Sequence, residues 1–372
     1  MSIPFVDLKA QRRRLGNRID NAILRVVDHG GYIMGPEVRE LETRLAEFCG
    51  AEHCISCANG TDALALVLMA WGIRPGDAVY VPAFTFVSTA EVVAWMGATP
   101  VFVDVLEDTF NMDPESLEAA IGATSNLALR PRAVIPVDLF GQPADYQRIL
   151  PIAERHGLRV LSDAAQSFGA TLDGRRTGTF GDATTTSFFP AKPLGCYGDG
   201  GAIFTDDDEL AGKLKSLRVH GQGSNKYDNV RIGMNGRLDT LQAAILIEKM
   251  AIFPEEIQAR NDAAGRYNEL LGASVKVPAV IDGATSVWAQ YTVQVDRRDE
   301  VQARAKARGI PTAVYYPIPL SQQAGYRQYP SAPGGVAVSE SLSKRVLSLP
   351  IHPYIGADVQ ADVAAALGSQ TT

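Results

Sequence analysis

Apolar residues recur along this chain with two periods, one helical and one extended. Over residues 36–48, Val38, Leu41, Leu45 and Phe48 are spaced for one face of a helix, with charges between them. Residues 61–71 repeat that spacing with Ala63, Leu64, Val67 and Leu68. Short apolar runs then alternate with helical stretches. Val79–Pro82, Val101–Val105, Ala133–Val137 and Val160–Ser162 read as strands, with helices expected near 87–96, 114–121 and 143–156. The last of these has Pro143 near its start and Gly157 past its end, the expected start and stop chemistry. Thr184–Phe189 and Ala202–Thr205 add two strands. Such alternation predicts an α/β fold, a mostly parallel sheet covered by helices, in which ligands gather at the carboxyl ends of the strands.

Further along, Leu238 to about Leu271 is helical in pattern but interrupted by Pro254, read as a kink or a domain boundary. Val287, Ala289, Tyr291, Val293 and Val295 alternate with polar residues, as in a half-buried strand, and a helix near 298–308 ends at Gly309. The pattern divides the chain into a large domain over 1–250 and a small α+β domain over 251–372. No internal repeat is visible, and residues 367–372 (LGSQTT) read as a frayed tail.

Charge and composition narrow the function. A net charge of −7 argues against a broad nucleic-acid surface while allowing a local anion site. No apolar run is long enough for a membrane helix. The N-terminus, MSIPFVDLKAQRRRLG, has no apolar segment behind its basic cluster, so neither a secretory nor a twin-arginine signal is read and the cytoplasm is expected. Cys49, Cys54, Cys57 and Cys196 fit a reducing compartment. Cys54 and Cys57 form a CxxC, but a structural zinc takes about four ligands and no second CxxC or HxxxH follows. Small buried hydrophobes in a strand account for them better, and no metal is expected.

The chemistry centres on SFFPAKPLGCYGDGG, residues 187–201, where Lys192 sits among apolar neighbours. A lysine there loses hydration of its ammonium form, its pKa falls, and it becomes a usable amine nucleophile. Alone it also reads as a snorkelling lysine with its head in water. Asp163 ends a strand in VLSDAAQSFG, where it would face the ligand crevice or cap a helix. Asn59-Gly60-Thr61 opens an amphipathic helix, offering either backbone N–H groups for a phosphate or an ordinary cap. Phe86 follows a strand and offers a flat ring, and Ser187 precedes Lys192. The glycines around Asp199 form no dinucleotide fingerprint.

In this order, the blocks GYIMGPEV, ANGTDAL, FTFVSTAE, DAAQSFGA, SFFPAKPLGCYGDGGAIFT and NGRLDTLQAAIL resemble the DegT/DnrJ-type sugar aminotransferases. The likeness runs from FVDLKAQ at Phe5 to LSLPIHP at Leu347. It implies the aspartate aminotransferase fold (fold type I), with a mostly parallel seven-stranded sheet in the large domain, and pyridoxal phosphate (PLP) as cofactor. Lys192 would carry the cofactor, Asp163 would bind its ring nitrogen, Gln166 would lie near the ring oxygen and Phe86 would stack on the ring. Gly60, Thr61 and Ser187 would hold the phosphate. Asn235, in NGRLD, would reach the phosphate of a second subunit, giving a homodimer with shared sites. The substrate implied is a UDP-linked keto sugar, with L-glutamate as amino donor and pyridoxamine phosphate between the two half-reactions.

The same blocks are similar to the branch acting on UDP-2-acetamido-2-deoxy-3-oxo-glucuronate, which implies a place in bacterial lipopolysaccharide and O-antigen sugar synthesis. Arg237 is then the residue to grip the uronate carboxylate, with Tyr315 and Tyr316 facing the sugar. Tyr315 stands where that branch has a histidine, and the His220–Asn229 loop is less basic than in that branch. Alternatives are amination of a 4-keto sugar, a PLP-dependent dehydratase, whose members carry histidine in place of Lys192, and a non-catalytic regulator that kept the fold.

Overall fold

The computed structural model describes residues 3–225 and 227–367; Lys226, in the His220–Asn229 loop, and residues 368–372 of the expected tail lie outside the described residues. Seven strands build the main sheet: β1 (His53–Cys57), β2 (Asp77–Pro82), β3 (Thr99–Val103), β4 (Arg130–Val134), β5 (Arg159–Asp163), β6 (Ala183–Ser187) and β7 (Gly201–Thr205). Their spatial order is β1-β7-β6-β5-β4-β2-β3. Only β7 runs against its two neighbours, β1 and β6. The expected mostly parallel seven-stranded sheet is therefore present.

Helices cover both faces, and the strands are apolar on both sides as a result. On β2, Val79 and Val81 face one core with Leu64, Val67 and Leu68 of the helix Gly60–Ala70. Ala78 and Tyr80 face the other, with Leu117, Ile121, Tyr146 and Ile149. A separate core forms around Tyr267, Tyr291, Leu347 and Val363, where β8 (Tyr291–Gln294) pairs antiparallel with β9 (Val346–Leu349).

Several expected elements shift. The helix expected near 143–156 begins at Tyr146, because the Asp145 side chain accepts from Arg148 N while the Pro143 carbonyl is engaged by Asn111. The pattern over Leu238–Leu271 forms two helices, Thr240–Met250 and Phe253–Leu271. Pro254 kinks neither, since it stands in the first turn of the second, where its missing N–H is not needed. The strand expected over 287–295 shortens to β8, because Trp288 takes a positive φ of 48°. Leu367, expected in the tail, is a buried end of the helix Ala357–Leu367. The N-terminal helices Leu8–Leu15 and Asn17–His29 and the helices Asp208–Leu217 and Ala337–Arg345 were not legible as periodic runs. The four cysteines are buried and unpaired, with Cys54 and Cys57 in β1. Among the described residues, no helix is long and apolar enough to cross a membrane.

Gly201 opens β7 against the start of the helix Gly60–Ala70, and a Cβ there would lie 2.5 Å from the Asn59 carbonyl. Gly212, inside the helix Asp208–Leu217, faces open space. Gly201→Ala should therefore destabilise by about 1–3 kcal/mol through overpacking. Gly212→Ala should stabilise by about 0.5–1 kcal/mol through helix propensity. Thermal melts of the two variants should move in opposite directions, and equal shifts would contradict this packing.

Candidate active site

The site forms where the parallel strands end. β5 and β6 are neighbours in register, with Asp163 opposite Thr185, so Asp163 and Ser187 sit at adjacent strand ends. Gly60 packs against Ser187 so closely that a Cβ would fall 2.8 Å from Ser187 Cβ. Asn59 caps this helix, its side chain accepting from Asp62 N at 2.8 Å. The N–H groups of Gly60 and Thr61 belong to the first turn, which has no intrahelical acceptors. First-turn N–H groups beside a serine hydroxyl form an anion cradle that a larger residue at 60 would fill.

Lys192 lies on the turn after β6, its backbone N–H donating to Phe189 O at 2.8 Å. Loss of hydration brings its amine down to about 8, against the opposing pull of Asp163. Asp163 is buried, and Oδ1 accepts from Ala165 N at 3.2 Å and Oδ2 from Thr89 Oγ1 at 3.1 Å. Burial raises its carboxyl above the usual range, opposed by the Ala165 N–H, by Lys192 and by Thr89. No helix begins at Asp163, so it is not a surface cap.

Gln166 is held on both sides of its amide. Oε1 accepts from Phe140 N at 2.8 Å, and Nε2 donates to the Tyr316 hydroxyl at 3.3 Å. Phe86 is 54% exposed, its ring open to the cavity and 6.4 Å from the Tyr316 ring. Burial pushes the Tyr316 hydroxyl well above its ordinary value. Tyr315 stands edge-on to Tyr316 at 5.9 Å and to Phe5 at 6.5 Å.

A cavity of about 920 Å³ is lined by Gly60, Thr61, Phe86, Asp163, Gln166, Ser187, Lys192, Tyr315 and Tyr316, nine of the positions singled out in the sequence. Asn235 and Arg237 do not line it. They flank Gly236, whose carbonyl accepts from Ala58 N at 3.1 Å and whose N–H donates to Arg218 O at 2.9 Å. Asn235 is exposed, and the buried Nε of Arg237 has no partner among the described residues. The sequence reading passed over Thr89, which orients Asp163, although it lies within the quoted block FTFVSTAE. The carboxylates of Asp62, Glu91 and Asp199, of which no chemistry was expected, also line the cavity.

Residues 13–368 match the model of the DegT/DnrJ/EryC1/StrS aminotransferase family. The chain belongs to that family. It is 51% identical over 354 residues to the UDP-2-acetamido-2-deoxy-3-oxo-D-glucuronate aminotransferase of Pseudomonas aeruginosa, covering 95% of this chain and 96% of that one. It is 43% identical to the UDP-N-acetyl-3-dehydro-alpha-D-glucosamine 3-aminotransferase of Acidithiobacillus ferrooxidans, covering 98% and 96%. A DegT/DnrJ/EryC1/StrS aminotransferase from Brucella abortus has the same fold, with a TM-score of 0.97 and 55% identity over 98% of both chains. As a member of the DegT/DnrJ/EryC1/StrS family, the chain has the fold of type I PLP enzymes and is a PLP-dependent sugar transaminase. The cavity fits that cofactor: an amine of lowered pKa, a buried carboxylate, an open aromatic ring and an anion cradle all meet in it.

The lowered amine has a measurable consequence. Lys192 is protonated below about 8 and neutral above it. The rate at which the apoprotein takes up PLP covalently should rise with pH and level off above about 8. Asp163→Asn removes the attraction that holds the ammonium, so the plateau should begin at lower pH. A rate that keeps climbing toward the ordinary lysine range would contradict the burial of this amine.

Proposed function

We propose that this enzyme aminates UDP-2-acetamido-2-deoxy-3-oxo-glucuronate at the 3-position with L-glutamate as donor, in the cytoplasm, as a step in making a lipopolysaccharide or O-antigen sugar. The observation that carries the sugar is the 51% identity to the Pseudomonas aeruginosa enzyme over nearly the full length of both chains. The 3-keto position is supported by the second relative, whose sugar is also a 3-dehydro UDP-amino sugar.

PLP, when bound, supplies an aldehyde to carry the amine and a ring that accepts the electron pair left on carbon. The chain's residues do the rest. Lys192 Nζ would hold the cofactor at rest and, as a neutral amine when free, would serve as the base that moves the proton of the substrate carbon. Asp163 would hold the proton on the ring nitrogen, Gln166 would contact the ring oxygen, Phe86 would cover the ring, and Gly60, Thr61 and Ser187 would bind the phosphate.

Charge supports a site shared between two subunits. Asp62, Glu91, Asp163 and Asp199 line the cavity, and Lys192 is the one cation among the described lining residues. A cofactor phosphate, a diphosphate and a uronate together bring several negative charges, which these carboxylates repel. We assign the missing donors to a partner copy in a homodimer, with Asn235 reaching the phosphate and Arg237 the uronate. Both stand beside the cradle through Gly236 yet outside their own chain's cavity. The large domain, 1–250, then holds the cofactor, while Tyr315 and Tyr316 of the small domain, 251–372, face the sugar.

Lys192→Ala should abolish turnover while still binding PLP non-covalently, and full transamination by that variant would overturn the lysine's role. The sugar is tested by loading the enzyme with pyridoxamine phosphate and offering UDP-sugars with a 3-keto or 4-keto group, with and without the carboxylate. The 3-keto uronate should restore the PLP spectrum fastest; preference for a 4-keto sugar lacking the carboxylate would overturn the assignment. Arg237→Leu should raise KM for the uronate by about 10- to 100-fold, the worth of a hydrogen-bonded charge, and leave KM for the sugar without the carboxylate unchanged.

A further inference from the structure

Behind Asp163 lies a second buried carboxylate with no cation against it. Asp138 is fully buried on the loop that follows β4. Its Oδ1 accepts from Ala144 N at 2.9 Å and from the Tyr146 hydroxyl at 2.7 Å, and its Oδ2 accepts from Ser167 Oγ at 2.7 Å. Ser162 Oγ stands 2.6 Å from the same Tyr146 hydroxyl. The backbone N–H of Asp138 donates to the Asp163 carbonyl at 3.0 Å. Two residues on, Phe140 N holds Gln166 Oε1.

With Asp163 N donating to the Pro136 carbonyl at 2.9 Å, this short loop grips the Asp163–Ser167 turn through four bonds, two of which belong to Asp138. A buried ionised carboxylate is costly to keep, and its three donors offset only part of that cost, so burial pushes Asp138 up to about 7 and its charge is present above that pH. The titratable groups facing it are Tyr146, from the helix Tyr146–Arg155, and Asp163, from β5. Asp163 in turn faces Lys192. A negative charge behind Asp163 favours positive charge in front of it, the direction needed to keep a proton on a ring nitrogen placed there.

We propose that Asp138 is a positioning residue for the cofactor: it fixes Asp163 and Gln166 against the ring and strengthens, through its charge, the hold of Asp163 on the ring-nitrogen proton. This rests on the assignment of Asp163 to the ring nitrogen. Asp138→Asn keeps the shape and lets the new amide donate to Ser167 Oγ, so it removes mainly the charge. The folded variant should bind PLP about 10-fold more weakly by absorbance titration of the apoprotein, roughly one pKa unit of lost charge interaction. The visible band of its bound cofactor should also shift. Ser167→Ala, which cuts only the bond to Oδ2, should weaken PLP binding in the same direction by less.

A purely structural role would lower the melting temperature and leave cofactor affinity and spectrum alone, and that result overturns the proposal. Should Asp138→Asn not fold, Ser167→Ala decides: weakened PLP binding supports the proposal and unchanged binding overturns it. Asp163→Asn separates the two readings. If it weakens PLP binding while folded Asp138→Asn does not, only this inference fails. If Asp163→Asn binds PLP as the wild type does, the assignment of Asp163 fails and this inference with it.

Discussion

A lysine and an aspartate withdrawn from water into one cavity set the terms for the rest of this molecule. Burial acts on Lys192 and Asp163 in opposite senses, lowering the amine and raising the carboxyl, and their mutual attraction opposes both shifts. Desolvation is the larger effect for each. The amine therefore loses its proton near 8 instead of in the ordinary lysine range, while the carboxyl, raised by burial, favours a cation placed before it. A surface ion pair would do neither, because water would restore ordinary pKa values.

Keeping such a pair buried requires a rigid frame, and the sheet supplies it. Parallel pairing of β5 with β6 fixes the spacing of Asp163 and Ser187, and the antiparallel β7 brings Gly201 against Asn59. The cradle at Gly60 therefore depends on close approach from two strands at once. Around it, buried polar groups are tied to backbone as well as to each other. Lys249 shows the same economy behind the Lys192 turn: it is buried, donates to Gly195 O at 2.6 Å, and lies over the Tyr197 ring. Its amine, like that of Lys192, falls to about 8 through loss of hydration, yet its partners leave it no open face toward the substrate. A lowered lysine pKa marks burial, and only access to the cavity distinguishes the reactive amine.

That distinction explains what could be read from the sequence. Most strands were legible because both faces of the sheet are covered, so they appear as apolar runs (the threonine-rich Ala183–Ser187 excepted), with ends displaced by up to three residues, as for Arg130–Val134 expected over Ala133–Val137. Lys192, Asp163, Gly60 and Phe86 were legible because each stands next to a strand or helix end that local pattern reveals. Asp138 and Lys249 were not. Their partners are local in space but scattered in sequence, and a charged residue in an apolar stretch does not announce whether it points inward. The amphipathic N-terminal helices were hidden by charge density: Arg12, Arg13 and Arg14 crowd the first, whose inward face presents only Gln11 and Leu15.

Asn235 and Arg237 mark a different limit. Gly236 between them is pinned to Ala58 and Arg218, and Arg218 is itself locked by Glu42 at 2.5 Å and by the Ser56 carbonyl at 2.7 Å. So rigid an anchor for two side chains that serve no cavity of their own chain has no evident use in an isolated monomer. It does suit side chains aimed at another copy. The buried Arg218–Glu42 pair is costly to desolvate, and what it secures is the segment that carries Asn235 and Arg237. In the homodimer proposed above, the electrostatic deficit of the cavity and the rigidity of this segment would be two sides of one arrangement, each chain's cavity taking the charge needed for an anionic substrate from the other copy.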